Sequence, residues 1–328
     1  METVKKICMG DVRSASRLIR DIEDKIPTAK AKIKKLFPHT GKSFIIGITG
    51  SPGAGKSTLT DALITESRKR NKTIGVLAVD PTSPFTGGAI LGDRIRMLRH
   101  AEDPEVFVRS LAARGALGGL STAVGEAIHV MEAMGKDIII VETVGIGQQE
   151  IDIINHAHSV IVVLVPGMGD EVQTMKAGIM EIADVFVINK ANRSGAKQLH
   201  TELMSMLNSA PASPDDWRPP IVMVGNAFEP ETFAEKVAEL VQKLEQHYIY
   251  LQSSGRMVER INRKIIVEIS DALRANILEP IMHHLEESGE LQRIAEKIKN
   301  REIDPYSVAE EISKRFLKSG GKNDIGKK

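Results

Sequence analysis

Between residues 41 and about 248, short runs of Ile, Val and Leu alternate with stretches in which apolar residues recur every three or four positions. The short runs predict strands over 45–49, 73–79, 106–109, 138–141, 160–165, 185–189 and 221–224. They show little inside/outside alternation, the pattern of strands covered on both faces. Strands alternating with helices predict an α/β fold with a doubly wound, mostly parallel sheet, whose ligands bind at the carboxyl ends of the strands. Residues 1–40 read as amphipathic helix, with Leu18, Ile19 and Ile22 on one face and Arg17, Arg20, Asp21 and Asp24 around the rest. From 249 to 317 the pattern is helical throughout. Val258, Ile261, Ile265, Ile269 and Leu273 form one apolar stripe, and Leu291, Ile294 and Ile298 another. Such stripes usually mean core. Appended to a complete α/β domain, they fit a dimer interface as well. Asp304-Pro305 reads as an N-cap with proline at the first helical position. Residues 318–328 are rich in Gly and Lys and read as a disordered tail.

Gly50-Ser51-Pro52-Gly53-Ala54-Gly55-Lys56-Ser57 fills the phosphate-loop pattern G-x-x-x-x-G-K-S/T, between a predicted strand and a predicted helix. The chemistry needs those residue types. The glycines let backbone N–H groups turn inward around phosphate oxygens, Lys56 brings a positive charge to the β/γ-phosphates, and the Ser57 hydroxyl can ligate Mg²⁺. Thr58 completes the expected phosphate-binding set.

A Mg-nucleotide also needs carboxylates at neighbouring strand ends. Asp80 ends the second predicted strand, Asp93 follows in the next loop, and Glu142 ends an apolar run as a Walker-B-like acid. Each could instead be a helix cap or a solvated acid. Gly145 would let a backbone N–H approach a γ-phosphate. Gln148 could orient the attacking water, or simply begin a helix. The run 185–188 leads into Asn189-Lys190-Ala191-Asn192, close to the Asn-Lys-x-Asp guanine signature. Lys190 would lay its stem over the base and Asn189 would tie the loops together.

Composition excludes more than it assigns. The 328 residues carry 44 basic and 43 acidic side chains, so no basic excess points to nucleic acid. Cys8 is the only cysteine, which rules out an intramolecular disulfide and a cysteine metal cluster. No apolar run reaches the length of a membrane span. A cytoplasmic protein is the expectation.

Several longer blocks resemble one family, the MeaB/ArgK group of P-loop GTPases of the SIMIBI type, the chaperones of methylmalonyl-CoA mutase. They are residues 47–57, 80–94, 109–121, 142–148 and 177–184, with 10–13 and 303–306 near the ends. The resemblance implies GTP hydrolysis to GDP and phosphate, and Mg²⁺ held around Ser57, Asp80, Asp93 and Glu142. It implies a homodimer built through the C-terminal helices, and an adenosylcobalamin-dependent acyl-CoA mutase as partner, protected and loaded with cofactor under control of the nucleotide. It also implies that residues 167–176 couple nucleotide state to that mutase. Relatives of this group have also carried the label of ATP-dependent kinases of amino-acid transport, which leaves two alternatives: a GTPase-fold scaffold with relaxed base specificity, or an ATP-using phosphotransferase. Nothing in the sequence supplies an acceptor site for it.

The chain departs from the family at the base site. Asn192 stands where the pattern has Asp, and the usual Ser-Ala after the last strand reads Gly225-Asn226-Ala227. An Asp carboxylate accepts from both guanine N1–H and the 2-amino group. Asn offers one acceptor, and its NH₂ meets the guanine amino group donor to donor. The loss is about 1.5–3 kcal/mol, or about 10- to 150-fold in affinity. Xanthine, with an oxygen at that position, suits Asn better. Asn192 turning away, with Asn226 or a water compensating, is the other reading.

Overall fold

The computed structural model describes residues 2–81, 99–100, 102–113, 122–143, 152–167, 179–209, 216–225, 227 and 229–320, with backbone alone at 80–81, 112–113, 179–180 and 317–320. The chain divides into two compact units, Met1–Ile265 and Ile266–Lys328.

The first unit is built on seven strands: β1 (Phe44–Gly50), β2 (Ile74–Pro81), β3 (Val106–Ala113), β4 (Ile138–Glu142), β5 (Ser159–Leu164), β6 (Val185–Ile188) and β7 (Ile221–Met223). They lie in the order β3-β2-β4-β1-β5-β6-β7, and every pair is parallel. All seven predicted strands are therefore present, within a few residues of their expected ends. Parallel pairing demands crossovers, and the helices that make them cover both faces of the sheet.

Alternate strand residues feed two separate cores. Ile45, Leu77, Val79, Ile139, Val141, Val160, Val162 and Phe186 point to one face. There they meet α1 (Glu2–Cys8), α2 (Val12–Glu23), α3 (Pro27–Leu36), α5 (Thr122–Ala133) and α7 (Ala196–Ser209). Ile46, Ile48, Val76, Ile140, Ile161, Val163 and Val187 point to the other, against α4 (Lys56–Lys69) and α8 (Pro230–Ser253). A single turn of helix, α6 (Ile179–Ile182), precedes β6. The N-terminal helices form as their pattern predicts. Asp11 caps α2 by accepting from Ser14 N at 2.8 Å, and Leu18, Ile19 and Ile22 are buried. Pro27 opens α3 at a position whose N–H has no helical partner to lose.

At the amino ends of β5 and β6 a buried polar cluster fastens α9 (Arg256–Leu273) to the sheet. Asp184 accepts from Val160 N at 2.8 Å and from both Arg260 nitrogens, at 2.9 and 2.6 Å. His247 lies between, its Nε2 3.3 Å from Asp184 and its Nδ1 2.6 Å from Ser159 Oγ. Trp217 Nε1 donates to the Asp184 carbonyl at 2.8 Å.

The second unit holds the rest of α9, then α10 (Glu279–Glu287), α11 (Glu290–Lys299) and α12 (Pro305–Gly320). A π turn, Arg274–Leu278, joins α9 to α10, and Glu279 N–H reaches back five residues to Arg274 O. The wider turn accommodates Pro280, which lacks an N–H and would crowd the carbonyl four residues back. Asp304 caps α12, accepting from Tyr306 N and Ser307 N at 2.9 Å each. The α9 stripe is not core of this chain: Val258, Ile261, Ile265, Ile269 and Leu273 are 41–60% exposed. Leu291, Ile294, Ile298, Val308, Ile312 and Phe316 are half-buried.

Candidate functional site

The sheet reverses its winding at β1, with β4 on one side and β5 on the other. That is the crevice where open parallel sheets bind ligands. The phosphate loop leaves β1 there and runs into α4. Its backbone requires glycine at two points. Gly50 has φ +140°, and a Cβ on it would lie 2.2 Å from the Val163 carbonyl oxygen. Gly55 has φ +89°, and a Cβ there would lie 2.2 Å from Asn189 Nδ2. Ser51 and Ala54 are buried, Pro52 and Gly53 exposed, and Gly55 and Thr58 half-buried. Lys56 is 6% exposed and donates to Gly50 O at 2.7 Å and Ser51 O at 3.0 Å, so the ammonium group sits inside the loop.

Strand register brings the acid to the loop. Glu142 at the end of β4 pairs with Ile48 of β1 and Ala78 of β2, and Thr143 N–H bonds to Ile48 O at 3.1 Å. Its carboxylate is buried and held by two hydroxyls: Ser57 Oγ donates to Oε1 at 2.6 Å and Thr60 Oγ1 to Oε2 at 2.8 Å. Asp80 lies two residues beyond Ala78 on β2, paired with Ala112 of β3.

The loop after β6 meets the phosphate loop from the other side. Asn189 Nδ2 donates to Ala54 O at 2.7 Å, and its Oδ1 accepts from Lys190 N at 2.9 Å. Lys190 has φ +55°, and its Nζ donates to Gly53 O at 2.8 Å. Ala191 N–H bonds to Val224 O at 2.9 Å, which sets this loop beside the one after β7. Asn192 and Ala227 are exposed. Asp93, Gly145, Gln148 and Asn226 lie outside the described residues, as do 168–176.

The donor set fits a Mg-nucleotide. Ser57 and Glu142 bring hard oxygen atoms, the kind Mg²⁺ prefers, within hydrogen-bond distance of one another. Among the described residues no group of three His, Cys, Asp or Glu forms a self-sufficient metal cage. Mg²⁺ takes one or two protein oxygens and completes its shell with water and substrate phosphates. Thr60 escaped the sequence reading. The one available signal was its place three residues after Ser57, on the same helical face.

A phosphate loop at the switch point of a parallel sheet, with a buried acid bonded to its serine, defines a P-loop nucleoside triphosphatase. The fold agrees with a solved structure described as an LAO/AO transport system kinase, at a TM-score of 0.70 and 23% identity over 96% of this chain and 97% of that one. Residues 15–286 match the family described as methylmalonyl Co-A mutase-associated GTPase MeaB. The chain is 46% identical to a protein of Pyrococcus abyssi whose name places it among GTPases, over 97% of both chains. It is 30% identical to the GTPase ArgK of Escherichia coli, over 95% of both. It is also 30% identical to the methylmalonic aciduria type A homolog, mitochondrial, of Caenorhabditis elegans, over 95% of this chain and 82% of that one. The chain belongs to the MeaB/ArgK family of P-loop GTPases. Among the described residues, no helix is long and apolar enough to cross a membrane.

Proposed function

We propose that the protein is a Mg²⁺-dependent GTPase that hydrolyses GTP to GDP and phosphate and serves an adenosylcobalamin-dependent acyl-CoA mutase as chaperone. The observation that carries the hydrolytic part is the Ser57–Glu142 hydrogen bond beneath the phosphate loop, at 2.6 Å. In this reading Gly50 to Thr58 cradle the phosphates through backbone N–H groups. Lys56 exchanges its two loop carbonyls for β/γ-phosphate oxygens. Ser57, Glu142, Asp80 and Asp93 would hold the metal, directly or through water. Bound Mg²⁺ would neutralise charge on the β- and γ-phosphates. The protein's own work is positioning, because phosphoryl transfer leaves it little covalent chemistry. Gly145 approaches the γ-phosphate and Gln148 orients the water. Asn189 and Lys190, bonded to Ala54 and Gly53, keep the base loop in register with the phosphate loop. Asn192, Asn226 and Ala227 line the base.

The mutase partner is supported by the matching family, described as methylmalonyl Co-A mutase-associated GTPases. The homodimer is supported by the exposed apolar stripe of α9, with 249–317 as the dimerisation arm of a chain whose nucleotide domain spans 41–248. Asn192 in place of Asp adds a second reading of the base site, in which guanine selectivity is reduced and xanthine is accepted.

Glu142→Gln tests the hydrolytic reading. Mg²⁺-dependent GTP turnover should fall far more than GDP affinity. Equal losses in both would instead mark Glu142 as structural. Capture of an adenosylcobalamin-dependent mutase on the GTP-loaded protein, and not on the GDP-loaded one, is the outcome expected for the partner. Capture in neither state would remove it.

A further inference from the structure

Thr60 is wholly buried, one turn beyond Ser57 on α4. Its hydroxyl lies 2.8 Å from Glu142 Oε2 and 3.0 Å from Lys56 O. The contact with the carbonyl four residues back fixes the Thr60 rotamer. The charged carboxylate takes the stronger share of the proton. Glu142 is thus gripped at both oxygens by two hydroxyls three residues apart on one helix face. Their tasks differ. Ser57 is itself a candidate ligand of the metal, whereas Thr60 is not: its hydroxyl meets only Glu142 and its own helix at the Lys56 carbonyl. Its proton stays with Oε2, and Oε1 is the oxygen presented toward Ser57.

This asymmetry bears on which cation the site accepts. Mg²⁺ is small and octahedral, and it bonds carboxylates while keeping several waters. Ca²⁺ takes six to eight oxygens at longer range and accepts carboxylates through one oxygen or both. We propose that Thr60 restricts Glu142 to single-oxygen ligation and so biases the nucleotide site toward Mg²⁺ over Ca²⁺. Thr60 is a positioning residue, acting through Glu142. The proposal rests on the assignment of Glu142 to the metal made above.

The test titrates a non-hydrolysable GTP analogue into the full-length protein by calorimetry, in Mg²⁺, in Ca²⁺ and in EDTA. Wild type, Thr60→Val, Thr60→Ser and Glu142→Gln are compared, and melting curves establish that each is folded. In Thr60→Val the ratio of Mg²⁺- to Ca²⁺-supported affinity should shrink about tenfold, the scale of one hydrogen bond to a charged group. Affinity in EDTA should not change, and Thr60→Ser should restore the wild-type ratio. A folded Thr60→Val with the wild-type ratio overturns the proposal. So does an equal loss under all three conditions, which would mark a packing role. If Thr60→Val does not melt cooperatively, Thr60→Ala is judged by the same ratio. Glu142→Gln separates the two levels: no change in its metal dependence removes the site assignment, whereas a change there without one in Thr60→Val removes only the role of Thr60.

Discussion

Alanine at Gly55 has two separable costs. The first is backbone strain: at φ +89° a side chain enters the left-handed region, which costs about 1–2 kcal/mol. The second is displacement of Asn189, whose Nδ2 would lie 2.2 Å from the new Cβ. Asn189 must then give up its 2.7 Å bond to Ala54 O and its 2.9 Å bond from Lys190 N. At about 0.5–1.5 kcal/mol each, these add about 1–3 kcal/mol. Gly55→Ala alone should therefore destabilise the first unit by about 2–5 kcal/mol. Asn189→Ala alone should lose about 1–3 kcal/mol, since it breaks the same two bonds. Combined, the two should cost less than their sum, because the side chain that the alanine would displace has already gone. The expected coupling is about 1–3 kcal/mol, within the usual range for residues in contact. Urea unfolding followed by fluorescence of Trp217, the only tryptophan, reads it from the first unit. Additivity within about 0.5 kcal/mol would refute the claim that Asn189 is the tie between phosphate loop and base loop.

Two further outcomes follow from the same structure. Burial draws both His158 and His247 down from 6.5 to about 4, so the unfolded chain binds protons on these rings before the folded one does. Their contribution is fully present above pH 6.5 and is lost as pH falls toward 4, about 3 kcal/mol for each ring. Urea midpoints measured across that range should fall steadily with acidification, and a flat profile would contradict the burial of these rings. Separately, Ile269→Asp places a charge in the exposed stripe of α9 and should convert a dimer to a monomer in light scattering with GDP binding retained. A persisting dimer would remove the stripe from the interface.

The sheet was legible because its strands are apolar on both faces, and each run such as 45–49 or 160–165 is too short and too uniform to be an amphipathic helix. Leu18, Ile19 and Ile22 were legible through helical spacing, and the phosphate loop through its residue types. Thr60 was not: its place three residues after Ser57 puts it on the same helical face, but only the fold brings a buried acid to that face. Asp184 and Arg260 stand 76 residues apart, and only the fold brings them together. The division at Ile265 was hidden for another reason: it falls inside α9, whose apolar period runs on without a break.

The most direct test of the central claim is calorimetric titration of GDP, ADP and XDP, each with Mg²⁺, into the nucleotide-free protein. The account predicts that GDP binds and ADP gives no comparable signal, with XDP at least approaching GDP because of Asn192. ADP binding as tightly as GDP would contradict it.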